Sequence, residues 1–458
     1  MRTGDVTEAL VDFAVKTAPS DLPRDVRQWA AGAILDTLGV AVAGREAPGV
    51  VEARALVQNW GGRPEATLWG SRSRVPSPYA ALVNAAAARA LDFDDVFDAI
   101  PLHPSAYLVP VALAAGEVAG AVRGADLIAA VAVGGEVMIR LALARGATDP
   151  EAARPPLSRG LGPTVAAARI LGLNPMQARH ALGLAFSTAA GELQSYDDGA
   201  LTIRLQQGFV AEAALRAALL ATVGVTGPWN FLEGRRGLAR VDGIVHLERV
   251  VEGIGREFHA SRTELKLFPC CRCSHPAISA ALRLRSSRAV APHAIAGIRV
   301  EVPPMSAAVV VEPRAVRFNP QTIVEAQFSL PYVVACALAT GEVGLSAFSM
   351  DRLGDPLVRG LMERLEVTVR EVEGGRTAGM VAPARVEIQL RDGTRLAGDG
   401  SPATCRADLA AGQAEGKFAG CMRVGGRAGG IEPTLALVRR LEDEPDAVSK
   451  LVRLLAEG

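Results

Sequence analysis

The stretch Leu265-Lys266-Leu267-Phe268-Pro269-Cys270-Cys271-Arg272-Cys273-Ser274-His275-Pro276-Ala277-Ile278-Ser279-Ala280 divides the chain into two kinds of sequence. Before it, from Val6 to about Val251, alanine and leucine recur at three- and four-residue intervals with breaks at Gly or Pro, the mark of a large all-α bundle. After it and one further helical run, the pattern changes to alternating β-branched segments. The stretch itself sets Lys266, Arg272 and His275 just ahead of an alanine-rich helix. Proline suits the first helical position, so Pro276 is expected to start that helix with His275 at its cap, beside unpaired N–H groups and the positive end of the dipole. An anionic substrate is expected there.

The clearest helical patterns cover 28–43, 78–91, 107–122, 126–144, 164–171, 175–190 and 209–223. Strands are expected at 295–302, 365–372 and 386–390, the last turning at Arg391-Asp392-Gly393-Thr394. Among them lie a long helical pattern at 322–338 and shorter ones at 346–350 and 356–363. The tail, 417–421 and 434–455, returns to helix. The fold expected is mainly α: an all-helical domain over 1–265, completed by helices in 405–458, and a smaller α/β domain over 266–404. A cleft between the two is the default site, and Lys266 to His275 lies at the crossing.

Lys and Arg number 49 and Asp and Glu also 49, so no net charge draws the chain to nucleic acid or an anionic membrane. The most apolar helical runs are interrupted by Glu117, Arg123, Asp126 and Glu136, so no membrane span is expected. The N-terminal residues carry Asp5 and Glu8 and lack a secretory pattern. Six cysteines in 458 residues do not make a disulfide framework, and a cytoplasmic location follows. Cys270, Cys271, Cys273 and His275 resemble half a zinc site, but Cys336, Cys405 and Cys421 supply no second pair, so neither metal nor cofactor is expected.

A second His-Pro occurs at His103-Pro104, after the acidic run Asp92, Asp94 and Asp95. A histidine at a helix N-terminus tends to stay neutral and can relay a proton near pH 7, with the aspartates orienting it or acting as bases. Taken singly, a His-Pro is an ordinary cap and an acidic run a solvated loop; their joint occurrence within apolar flanks gives chemistry equal weight.

Ala90-Leu91-Asp92-Phe93-Asp94-Asp95 with His103-Pro104-Ser105, Gly134-Gly135-Glu136, Val225-Thr226-Gly227-Pro228 with Leu232-Glu233-Gly234, Lys266 through Pro276, and Glu325-Ala326-Gln327-Phe328-Ser329-Leu330-Pro331-Tyr332 together resemble the MmgE/PrpD family, in order and over nearly the whole chain. That family contains 2-methylcitrate dehydratase, cis-aconitate decarboxylase and iminodisuccinate epimerase. The resemblance implies a metal-free homodimer with a helical domain and an α/β lid. It also implies proton abstraction next to a carboxylate, followed by loss of water or carbon dioxide or by reprotonation. Asp92, Asp94, His103, Lys266 and His275 match the family's active-site positions.

There are departures. Gly160-Leu161-Gly162-Pro163-Thr164 has glycine where the family commonly has histidine, and Ile203-Arg204-Leu205-Gln206 replaces a lysine and a histidine. The expected consequence is a site with less positive charge and more room near Gly162. Arg204 can restore a bidentate carboxylate contact, and Gln206 can hydrogen-bond but not move protons. Catalysis is then expected to rest on His103, Asp94 and His275, with Asp92, Lys266, Arg204, Gln206 and Arg272 binding a small carboxylic acid. The reaction expected is addition or removal of water; isomerisation or decarboxylation through the same enolate is the alternative, and a non-catalytic member the third.

Overall fold

The computed structural model describes residues 5–100, 102–146, 155–288, 290–370, 381–401 and 412–457. The expected mainly α architecture with a smaller α/β part is what these residues form. Small side chains decide how the helices meet. A Cβ on Gly208 of helix Thr202–Thr222 would lie 2.5 Å from the Leu82 carbonyl oxygen of helix Ser77–Arg89, so these two helices approach backbone to backbone. Helices Ser105–Ala119 and Gly124–Leu143 are buried almost all round and form the centre of the bundle. Arg24–Gly44 and Leu161–Ile170 pack on them, and Pro175–Ser187 packs in turn on Leu161–Ile170 and Thr202–Thr222.

Helices Gln413–Val424, Ile431–Arg439 and Ala447–Glu457 return to this bundle. Phe418 seats against Gly39, and Val448 against Gly116. Both ends of the chain therefore share one apolar core, which includes Leu10, Trp29, Leu108, Val131, Phe418 and Leu451. Residues 405–411, where the returning segment was expected to begin, lie outside the described residues, Cys405 included.

A second core contains Cys270, Ile278, Ile295, Val300, Tyr332, Leu338, Val386 and Ile388. A two-stranded ribbon, β1 (Ala66–Thr67) with β2 (Arg74–Val75), belongs to the helical half. The second core is built on a four-stranded sheet of β3 (Ile295–Val302), β4 (Leu365–Val369), β5 (Ala384–Leu390) and β6 (Arg395–Gly400), in the order β4-β3-β5-β6. Strand β3 pairs in parallel with β4, Ile298 opposite Leu365, and antiparallel with β5, Val300 opposite Val386. The β5–β6 hairpin turns at Gly393, whose φ is 87°. Helix His275–Arg288 lies on β5 and β6. Ile203, from the helical half, packs in this second core, so the side chain at that position joins the halves instead of lining a charged site.

Two expectations need correction. The helical pattern at 322–338 is broken into Ile323–Gln327 and Leu330–Thr340. Ser329 adopts extended geometry and caps the second segment, its hydroxyl accepting from Tyr332 N at 3.1 Å, and Pro331 in the first turn cannot continue a helix from before it. The room expected near Gly162 is absent: helix Leu161–Ile170 rests there on Gly124–Leu143, with Gly162 facing Gly134. The end of the strand expected at 365–372 falls partly outside the described residues. No helix among them is long and apolar enough to cross a membrane.

A methyl group on Gly162 would meet the Gly134 carbonyl oxygen at 2.5 Å and Met138 Cβ at 2.8 Å. Gly162→Ala should therefore destabilise the protein by about 1–3 kcal/mol, the usual cost of overpacking, and lower its urea midpoint. An unchanged midpoint would mean that the two helices do not touch at this point.

Candidate active site

Asp92, Asp94 and Asp95 lie in the loop between helices Ser77–Arg89 and Ser105–Ala119. The side chains of Asp92 and Asp94 are only 4% and 3% exposed, and a buried carboxylate needs compensation. Arg89, at the last turn of the preceding helix, donates through Nη1 to Asp92 and, at 3.3 Å, to Asp94 Oδ1. With its amide oxygen turned toward the guanidinium, Gln207 accepts from Arg89 Nε at 3.1 Å. Lys266 reaches in from the crossing segment and donates to the Asp92 carbonyl and to Oδ1, both at 3.0 Å. Burial would raise the Asp92 carboxyl, but Arg89 and Lys266 outweigh it and hold the group well below the usual carboxylate range. Asp92 Oδ2 and Asp94 Oδ2 accept no hydrogen bond among the described residues.

The loop's backbone fits this arrangement. Asp92 has φ of 49°, in the left-handed region that aspartate tolerates better than most residues. Val96 pairs with Glu264 in an antiparallel bridge, which lays the crossing segment over the acidic loop.

His103 does not cap the following helix. That role falls to Asp95, whose carboxylate accepts from the Ser105 hydroxyl and, at 3.1 Å, from Ser105 N. Burial pushes the Asp95 carboxyl up to about 7. His103 Nδ1 lies 2.8 Å from the Asp95 carbonyl oxygen, and a carbonyl only accepts. Nδ1 therefore carries the proton and Nε2 keeps the lone pair, with Asp94 Oδ2 3.3 Å from Nδ1. Burial is the main cause that lowers the His103 pKa to about 4, against the opposing pull of Asp94. The ring is neutral at pH 7, as expected, but from desolvation more than from a helix dipole.

His275 is the first residue of its helix and is fully buried. Its Nδ1 is 3.3 Å from Arg272 Nη1, which can only donate, and Nε2 is 3.3 Å from the Cys270 carbonyl oxygen. Both ring nitrogens are thus engaged, and burial together with the Arg272 and Lys266 charges keeps the ring neutral. Arg272 donates in turn to Asp98, through Nε at 3.0 Å and Nη2 at 2.8 Å. Gln206 is equally committed: its amide nitrogen donates to Glu192 and Ser195 Oγ, and its oxygen accepts from Arg159 and from Glu192 N. Arg204 differs. It donates through Nη1 to the Pro48 carbonyl at 2.9 Å, its buried Nε has no partner, and burial next to Arg89 lowers its pKa to about 10.

The structure thus brings Asp92, Asp94, His103 and Lys266 into one cluster, with Arg272 and His275 beside it on the crossing segment. Gln206 stands apart, tied to the 190–195 segment. The sequence reading missed Arg89, although a basic residue three positions before Asp92 at a helix end was a visible signal. It also missed Tyr196, a partly buried residue whose phenol is close enough to feel the Arg89 charge. Among the described residues no group of three or more His, Cys, Asp and Glu side chains is arranged to hold a metal ion.

A model of the MmgE/PrpD N-terminal domain matches residues 8–243, and one of the MmgE/PrpD C-terminal domain matches residues 268–427. A cis-aconitate decarboxylase-like protein of Aspergillus oryzae is 27% identical over 416 residues, spanning 85% of this chain and 84% of that protein. The cis-aconitate decarboxylase of Aspergillus terreus is also 27% identical, over 428 residues and the same shares. The human cis-aconitate decarboxylase is 29% identical over 349 residues, 73% of this chain and 70% of that protein.

The buried ring leaves a measurable trace. An unfolded histidine takes up a proton near pH 6.5, whereas folded His103 resists until about 4, so the unfolded state binds more protons between those values. His103 therefore reduces stability as the pH falls through that window, by about 3 kcal/mol in all. The difference in unfolding free energy between the parent and His103→Gln should shift by that amount against the parent from pH 7 to pH 4. Asp95 titrates in both proteins and largely cancels in the difference. A pH-independent difference would mean that the ring is not held neutral.

Proposed function

Since the chain belongs to the MmgE/PrpD family, we propose that it is a lyase that releases carbon dioxide from an unsaturated polycarboxylic acid, with His103 as the proton carrier. The observation that carries this reading is the fixed tautomer of His103, whose Nδ1 proton is held by the Asp95 carbonyl while Nε2 has no hydrogen-bond partner among the described residues. The relatives named cis-aconitate decarboxylase match most of the chain and favour loss of carbon dioxide over the loss of water expected from the sequence.

In the proposed step a carboxylate leaves as carbon dioxide and its carbon–carbon bonding pair forms a new double bond. The pair of the old double bond then takes a proton at carbon. His103 Nε2 delivers that proton. A substrate's carboxylates, arriving beside the ring, raise its proton affinity, so the bound form can draw a proton from water even though the empty site resists one. Arg204, a buried cation with a free N–H and no acidic hydrogen-bond partner among the described residues, is the proposed carboxylate anchor. Asp94 steadies the charged ring. Asp92 and Lys266 preset the loop, while His275, Arg272 and Gln206 fix the surrounding walls.

Loss of water is the second reading. One observation favours it: Lys266 uses two hydrogens on Asp92, and among the described residues its third has only Asp94 Oδ1 at 3.7 Å, leaving a proton for a departing hydroxyl. Two further proposals accompany the function. Phe209, Leu220 and Val223 are exposed on or just beyond one helix and support a homodimer. Free, buried cysteines support a reducing, cytoplasmic setting.

Incubation with cis-aconitate in deuterated water should release carbon dioxide and leave one deuterium on a product carbon. A new conjugated acid without carbon dioxide, formed from a hydroxylated substrate, would establish dehydration instead, and deuterium exchange alone would establish an isomerase. His103→Gln should lower turnover by roughly 10²–10⁴-fold, the usual contribution of a general acid or base. Arg204→Gln should raise KM about tenfold or more, as loss of a charge-assisted contact requires. Parental turnover in the His103 variant would move the chemistry to Asp94.

A further inference from the structure

Lys417 lies far in sequence from the acidic loop, on helix Gln413–Val424, yet its ammonium group ends there. It contacts Asp36 at 2.8 Å and 3.1 Å and donates to the Phe93 carbonyl oxygen at 2.7 Å. It also sits 4.1 Å above the Phe93 ring. Its side chain is 5% exposed and that of Asp36 2%. Val40, Phe93 and Cys421 close a small apolar cluster around this contact.

We infer that Lys417 is a positioning residue, which fixes the peptide between Asp92 and Asp94 and thereby sets both carboxylates and, through them, His103. The geometry singles out the main chain: an ion pair with Asp36 alone would hold two helices together, but the bond to the Phe93 carbonyl grips the loop at its centre. Arg89 holds this loop from the preceding helix and Lys266 from the crossing segment. Lys417 is the third fixed point, and it is needed because Asp92 rests in a left-handed conformation that a free loop would leave. A displacement of about 1 Å at such a site can cost about 10²-fold in turnover.

The activity part of the test rests on the proposed function; the exchange part does not. Lys417→Ala, Lys417→Met and the neighbouring core control Phe418→Leu are compared by hydrogen exchange of residues 91–98 and by kcat and KM on cis-aconitate. The Met variant restores the volume without the charge. Both Lys417 variants should exchange faster than the control in this loop. Their kcat should fall by about 10²-fold with KM changed by less than about threefold. Added propylammonium, but not propanol, should restore exchange protection and turnover to Lys417→Ala in a saturable way. Loop exchange equal to that of Phe418→Leu, or equal rescue by propanol, would overturn the inference. If the parent protein does not turn over cis-aconitate, the proposed function fails, and the exchange data still decide the role of Lys417.

Discussion

Two carboxylates, Asp92 and Asp94, are buried within one short loop, where each needs a cationic partner. Each would be neutral or expelled to water if left alone in such surroundings. Arg89 and Lys266 answer them, one from the same half of the chain and one from the crossing segment. The pairing therefore does more than neutralise charge. It fixes how the segment leading into the second core lies on the first, since Lys266 binds the Asp92 main chain as well as its side chain. A buried ion cluster of this kind adds little net stability but strongly penalises any arrangement that separates its members.

The chemistry follows from that constraint. With the loop held, the Asp95 carbonyl is placed to fix the His103 tautomer, and the Asp95 carboxylate is spent on the start of the next helix. Since Arg89 and Lys266 are matched by the two aspartates, they offer little charge to a ligand. Arg204, whose buried Nε has no partner among the described residues, is therefore the cation proposed to meet a substrate carboxylate. His275, by contrast, is locked at both nitrogens and transmits the position of Arg272 and Asp98.

Much of this was legible in the sequence. The three- and four-residue spacing of alanine and leucine gave the helices, and the switch to alternation at 295–302 gave the sheet. Local chemistry was less legible where a neighbour in space decides it. The pattern at 322–338 reads as one helix because its apolar spacing is continuous; Ser329 and Pro331 break it through capping and the missing N–H. Gly162 read as an empty place in the site because a histidine was expected there, but it serves the contact of two helices. Histidine-proline pairs read as helix caps, whereas Asp95 takes that role at Ser105. Arg89 was within reach of a local rule, and Lys417 was not, because nothing in its own segment points to Asp36 or Phe93.

If Asp92 and Lys266 are strongly coupled charges joining the two halves of the chain, a double-mutant cycle on unfolding free energy will register it. Lys266→Met alone should destabilise by about 3–5 kcal/mol, since it leaves two buried carboxylates to Arg89 alone, and Lys266→Met with Asp92→Asn should recover a large part of that loss. A coupling of at least about 2 kcal/mol between the two positions is expected. Additive effects, with a coupling below about 0.5 kcal/mol, would contradict it.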